Sequence, residues 1–246
     1  MLRAPLQRIV VVFALGLTTP VARAHAQSTS DLAAFSALIV SPSGALPPSA
    51  SDNGRALPDV AAFAVSYGRW RYDIDDAIHH NLGATVTRRI GASATSVSMT
   101  AAYLSLSCDC AGWMSGGVSL TSRMLSVPAD RLRAGASGHI DLQLMTGGAR
   151  YSGDGHASAY SAAAAVDVGG SVALRGSSRL ALSLIPGVGL GHLTSADETG
   201  GGTRALLGAA ISWRSRHGVS LDVGTRRIVL TGGPTQFGMS IAWHAN

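Results

Sequence analysis

From Asp59 to the last residue, apolar side chains recur at every second position in short runs. In His139-Ile140-Asp141-Leu142-Gln143-Leu144, the residues Ile140, Leu142 and Leu144 share one face, and His139, Asp141 and Gln143 share the other. A helix of 3.6 residues per turn cannot segregate them in this way, whereas a strand does so automatically. The same alternation recurs around Phe63-Val65-Tyr67, Leu82-Val86, Val97-Tyr103, Val118-Leu120, Tyr160-Val168, Leu180-Leu184, Ala205-Trp213, Val219-Val223 and Phe237-Trp243. That makes ten candidate strands and, with the long link from Ser126 to Gly138 read differently, eight or twelve.

Hydrophobic residues make up 46% of the chain and charged residues 13%, yet the sole long uninterrupted apolar run is Ile9 to Leu17. That run is too short for a spanning helix, which needs about 20 residues. It is flanked by Arg3 and Arg8 before it and by Pro20 and Ala24-His25-Ala26 after it, the order of a cleavable export signal over residues 1–26. Apolar content spread thinly along an exported chain suits a lipid-facing barrel, because only helices and closed barrels satisfy every backbone hydrogen bond within hydrocarbon. The expected fold is therefore all-β, an antiparallel up-and-down transmembrane β-barrel over residues 59–246. Residues 27–58 are expected to be a periplasmic segment and flexible linker. Their apolar patch, Leu32 to Val40, could be a short helix, a plug within the barrel or an extra strand.

Link lengths and aromatic positions give an orientation. If the first strand runs outward, the links at Gly91–Ala94, Arg175–Ser178 and Arg214–Gly218 are short inner turns. Longer, Gly- and Asp-rich links such as Thr146–Ala157 and His192–Gly202 then lie outside, the asymmetry of outer-membrane-type barrels. Tyr67, Tyr103, Tyr160 and Phe237 fall at the outer rim and Trp213 and Trp243 at the inner one, as two aromatic girdles.

On these grounds the region from Asp59 to Asn246 resembles the small outer-membrane barrels of bacteria, the porin-like and adhesin-like group of eight to twelve strands. Its final strand, Phe237-Gly238-Met239-Ser240-Ile241-Ala242-Trp243, is similar to the C-terminal signal read by the barrel-assembly machinery, although the chain continues for three residues beyond the aromatic. The resemblance implies outer-membrane lipid and that machinery as partners.

Asp141, Asp167, Asp222, Arg204 and Arg226 lie on the inward parity, where they either tune a polar pore or close a narrow lumen by ion pairing. The sealed lumen is the favoured reading. Cys108 and Cys110 sit in the second outer link as a candidate disulfide or two plain thiols, and with His79 and His80 they match no metal-ligand spacing. The net charge of +5 comes wholly from arginine, as no lysine occurs, and points to base-composition bias rather than to nucleic acid.

The leading functional reading is a non-enzymatic barrel, structural, adhesive or a narrow channel, with its outer loops as binding surface and with no cofactor or metal. Two alternatives stand beside it. Asp73-Ile74-Asp75 and Asp154-Gly155-His156 resemble elements of omptins, outer-membrane proteases. That resemblance would make His156 a base oriented by Asp154, opposite Asp73 and Asp75. A soluble lipocalin-like carrier would instead turn its larger apolar residues inward.

Overall fold

The computed structural model describes residues 37–39, 61–71, 78–91, 94–105, 112–127, 136–153, 155–174, 178–197, 199–229 and 233–245. Ten strands follow one another: β1 (Ala61–Arg71), β2 (Ile78–Arg89), β3 (Thr95–Ser105), β4 (Trp113–Val127), β5 (Ala136–Tyr151), β6 (Ser158–Ala173), β7 (Arg179–Thr194), β8 (Thr199–Arg214), β9 (Val219–Val229) and β10 (Thr235–Ala245). Each pairs antiparallel with its neighbour in sequence, and β1 pairs with β10, so the sheet closes into an up-and-down barrel with no free edge. The strand count is ten, and eight and twelve are set aside.

Alternation decides which face each side chain takes. Phe63, Val65, Met99, Val118, Leu144, Leu182, Ile211, Val223 and Ile241 are exposed on the outer surface. Ser66, Ser137, Asp141, Asp167, Ser212, Asp222 and Ser240, on the opposite parity, are buried. Water would not tolerate such an exterior, whereas hydrocarbon demands it. A soluble carrier with its large apolar residues inside is thereby excluded. The chain is an outer-membrane-type β-barrel.

Both ends of the described barrel strands, Ala61 and Ala245, lie on one rung and define what we call the near end. Near-end links are residues 90–94, 128–135, 174–178 and 215–218; far-end links are 72–77, 106–112, 152–157, 195–198 and 230–234. The two sets are of similar length, so the expected contrast between short turns and long loops is absent. Strand pairing consumes the difference. β5 continues to Tyr151 and β8 begins at Thr199, and their glycines keep to the ladder through Gly147↔Ser161 and Gly191↔Gly202. The troublesome link after Ser126 shrinks for the same reason, because β5 starts at Ala136. Two of the near-end turns close tightly around left-handed glycines, Gly91 (φ 57°) and Gly218 (φ 78°).

Candidate functional site: a lumen in two layers

Polar and charged side chains fill the near half of the lumen. Asp141 of β5 and Asp167 of β6 face each other on a single rung, both fully buried. Each turns to a basic neighbour. The Arg123 guanidinium of β4 donates through Nε to Asp141 Oδ1 at 2.8 Å and through Nη2 to Oδ2 at 3.1 Å, a two-pronged pair. His139 Nε2 lies 3.5 Å from Asp167 Oδ1, its ring over the face of Gly169, where a Cβ would come within 2.6 Å of Cε1. Beside them Arg179 Nη2 donates to Ser137 Oγ and Ser171 Oγ, and these hydroxyls are 2.8 Å apart. On the opposite wall Ser240 donates to Asp222 Oδ2 at 3.1 Å.

A register shift between Arg123 and Leu125 marks a β-bulge in β4. The bulge turns Leu125 outward opposite Ile140 while Arg123 stays on the rung of Asp141. Sequence reading missed Arg123 and His139 as members of this layer. The parity of His139, shared with Asp141, was the available signal.

The far half is apolar. Trp70, Leu104, Ala159, Leu193, Leu206 and Ile228 turn inward there and are buried in one cluster with Ala37, Leu38 and Ile39. These three residues form a single helical turn and are all that the structure describes of residues 27–58. They sit inside the barrel, not below it. Gly189 of β7 makes room for them, since a Cβ at that position would lie 2.7 Å from Leu38 Cδ2. Burying Leu38 and Ile39 contributes about 1.5–3 kcal/mol each as an upper estimate.

One wall of this apolar half carries a polar row. Arg226, Gln236, Trp70 and His79 follow one another across β9, β10, β1 and β2 on successive paired rungs. Asn81 stands beside them, over Gly68, where a Cβ would lie 3.0 Å from Gln236 Nε2 as well. His79 and His80 are strand residues of β2, and His80 Nδ1 meets the Tyr67 hydroxyl at 2.6 Å. Arg204 lies on the lumenal parity at the far rim, partly exposed, with Nη1 donating to the Thr203 carbonyl.

The aromatic side chains fall at several heights. Trp243 and Phe63 stack at the near end with ring centroids 6.0 Å apart, and Trp213 faces Leu221 close by. Tyr103, Tyr160 and Phe237 lie towards the far end, and Tyr67 stands four residues inside the end of β1. All seven are exposed on the outer face. Cys108, Cys110, Asp73, Asp75 and Asp154 lie outside the described residues; His156 is exposed in the β5–β6 link.

No described protein family matches the chain. No curated protein matches it either. Among solved structures it is similar to Ail, the attachment invasion locus protein of Yersinia pestis, at 11% identity and a TM-score of 0.32, over 75% of this chain and 95% of that one. It is also similar to the β domain of the Bordetella autotransporter BrkA (12%, 0.35, 75% and 98%). A third is the Acinetobacter baumannii outer membrane protein Omp33 (10%, 0.30, 76% and 100%). The likeness is loose and extends to no residue's role.

Proposed function

We propose that the protein is a non-enzymatic barrel of the bacterial outer membrane with a closed lumen, working as a surface scaffold whose far-end links form the binding surface. The observation that carries this reading is that the lumen is filled at two heights. The Arg123–Asp141 pair and its neighbours occupy the near half, and the Ala37–Ile39 turn the far half. A barrel of about ten strands leaves little room beyond its own side chains. The near end faces the periplasm in this reading, from which an exported chain is delivered with both strand termini on one side. The final strand serves as the signal for the barrel-assembly machinery.

Planar-bilayer recording tests it. The purified protein should give no conductance steps, or small and rare ones. Large, regular steps would overturn the closed-lumen reading and make the protein a pore.

A further inference from the structure

We propose that the near rim, where β8, β9, β10, β1 and β2 end, is a docking surface for anionic phospholipid headgroups, with Arg88 and Arg216 as the residues that select them. The surface lies at the end opposite the far-end links, so it does not depend on the surface-scaffold reading.

Three observations point to this partner. The first is register. Arg88 of β2, Ala61 of β1 and Ala245 of β10 share one rung on the outward parity. The next outward-facing rung towards the barrel's middle holds Val86, Phe63 and Trp243, the last two rings stacked. An exposed cation therefore stands one step nearer the rim than an aromatic pair that faces lipid. Aromatic girdles mark the level at which hydrocarbon gives way to headgroups, so the Arg88 guanidinium reaches the headgroup layer.

The second observation is the other flank of that rung. The β8–β9 turn is tied to β10 by the His244 amide, which donates to the Gly218 carbonyl at 2.7 Å. Arg216 is exposed in this turn, and its Nε donates to His217 Nε2 at 3.0 Å. A guanidinium has five N–H donors, so beyond that bond Arg216 presents a fork suited to phosphate oxygens. Ala61 and Ala245 stand between the two arginines, and their small side chains leave room for a headgroup beside the Phe63–Trp243 pair.

The third observation is the sign of the charge at each end. By sequence, the near-end links carry Arg131, Arg133, Arg175 and Arg216 against Asp130, and Arg88, Arg89, Arg179 and Arg214 end the strands there. The far-end links carry seven acidic residues and no arginine. The near end is thus net positive whatever pairs form within it, and an anionic surface is its electrostatic complement. An arginine at an anionic lipid surface contributes about fivefold in preference, an attraction that falls off within a Debye length. The outward parity of Arg88 aims that preference at the membrane rather than along the barrel axis.

The test uses the full chain labelled with 5-fluorotryptophan in phosphatidylcholine nanodiscs, with the Trp243 fluorine resonance identified by Trp243→Phe. Phosphatidylglycerol or phosphatidylcholine, each spin-labelled near its headgroup, is added at equal mole fraction. Labelled phosphatidylglycerol should broaden the Trp243 resonance about threefold or more beyond labelled phosphatidylcholine. The excess should vanish at about 1 M salt, where the Debye length is about 3 Å. Trp113, which packs against the apolar cluster of the far half, should show no preference between the two lipids. Arg88→Gln should remove much of the excess at Trp243, and Arg88→Gln with Arg216→Gln all of it, while Arg150→Gln at the far end leaves it intact. If the double variant loses its heat-modifiable gel shift and so fails to fold, Arg216→Gln alone and the salt series decide. Equal broadening by the two lipids would overturn the proposal, as would an excess that survives high salt or the folded arginine variants. Co-sedimentation of soluble polyglutamate with the nanodiscs, without lipid preference at Trp243, would assign the rim to an acidic polymer and overturn it equally.

Discussion

Arg123 and Asp141 meet side by side across β4 and β5, two parallel hydrogen bonds joining groups whose side chains are 7% and 0% exposed. Such a pair is costly to desolvate and costlier still to break from one side, since the remaining charge is left in a low-dielectric interior. Asp141→Asn and Arg123→Gln should each lose about 3–5 kcal/mol of stability. Arg123→Met combined with Asp141→Leu should recover most of that loss. Urea unfolding in lipid vesicles, followed by tryptophan fluorescence, measures all three; two single variants that unfold like the parent would show that the pair contributes nothing.

The two faces of β5 should respond oppositely to the same substitution. Leu144 is exposed to lipid, whereas Gln143 lies on the lumenal parity beside Asp141. Leu144→Arg should cost roughly 2–4 kcal/mol in vesicles, the range for an arginine near the bilayer midplane. Gln143→Arg should cost less than half as much. A larger loss for Gln143→Arg would mean that the assigned faces are reversed.

Gly189 and Leu38 supply a way to dislodge the lumenal turn without touching the barrel wall's hydrogen bonds. A Cβ at Gly189 already meets Leu38 Cδ2 at 2.7 Å and Leu206 Cδ1 at 3.1 Å, so Gly189→Leu leaves the turn no space. Residues 27–60 should then be cut several times faster by added protease. The heat-modifiable gel shift of the intact barrel should persist. An unchanged cleavage rate would place the turn's anchoring elsewhere.

Export processing is expected after Ala26, at the end of Ala24-His25-Ala26. N-terminal sequencing of protein extracted from membranes should read from Gln27. A first residue of Met1 in the membrane fraction would remove the export signal from this account.

Period two made the wall of the barrel legible. Every one of the ten alternating runs became a strand, because lipid outside and polar groups inside impose the pattern on each strand separately. Strand ends were less legible. Gly147, Gly148 and Gly200 to Gly202 read as loop residues, yet the neighbouring strand holds them in the ladder. Pairing within the lumen was not legible, because it depends on stagger and on a bulge: Asp141 meets Arg123, eighteen positions away and displaced by the register shift. Trp70 is a different case. It lies on the parity of Ser66 and Gly68, so the alternation that marked Tyr67 as lipid-facing marks Trp70 as lumenal.

The β1–β10 seam joins Ala61 to Ala245 and Arg71 to Thr235, so the first strand waits for the last before its second ladder can form. Contacts between residues so far apart in sequence carry a large loop-closure cost and form late. Until then β1 keeps an open edge, and the apolar outer face has no cylinder to belong to. Entrapment of Ala37–Ile39 is subject to the same timing. A turn that precedes β1 can be enclosed on all sides only once β10 has docked, so lumen filling and ring closure become one terminal event in the maturation of the chain.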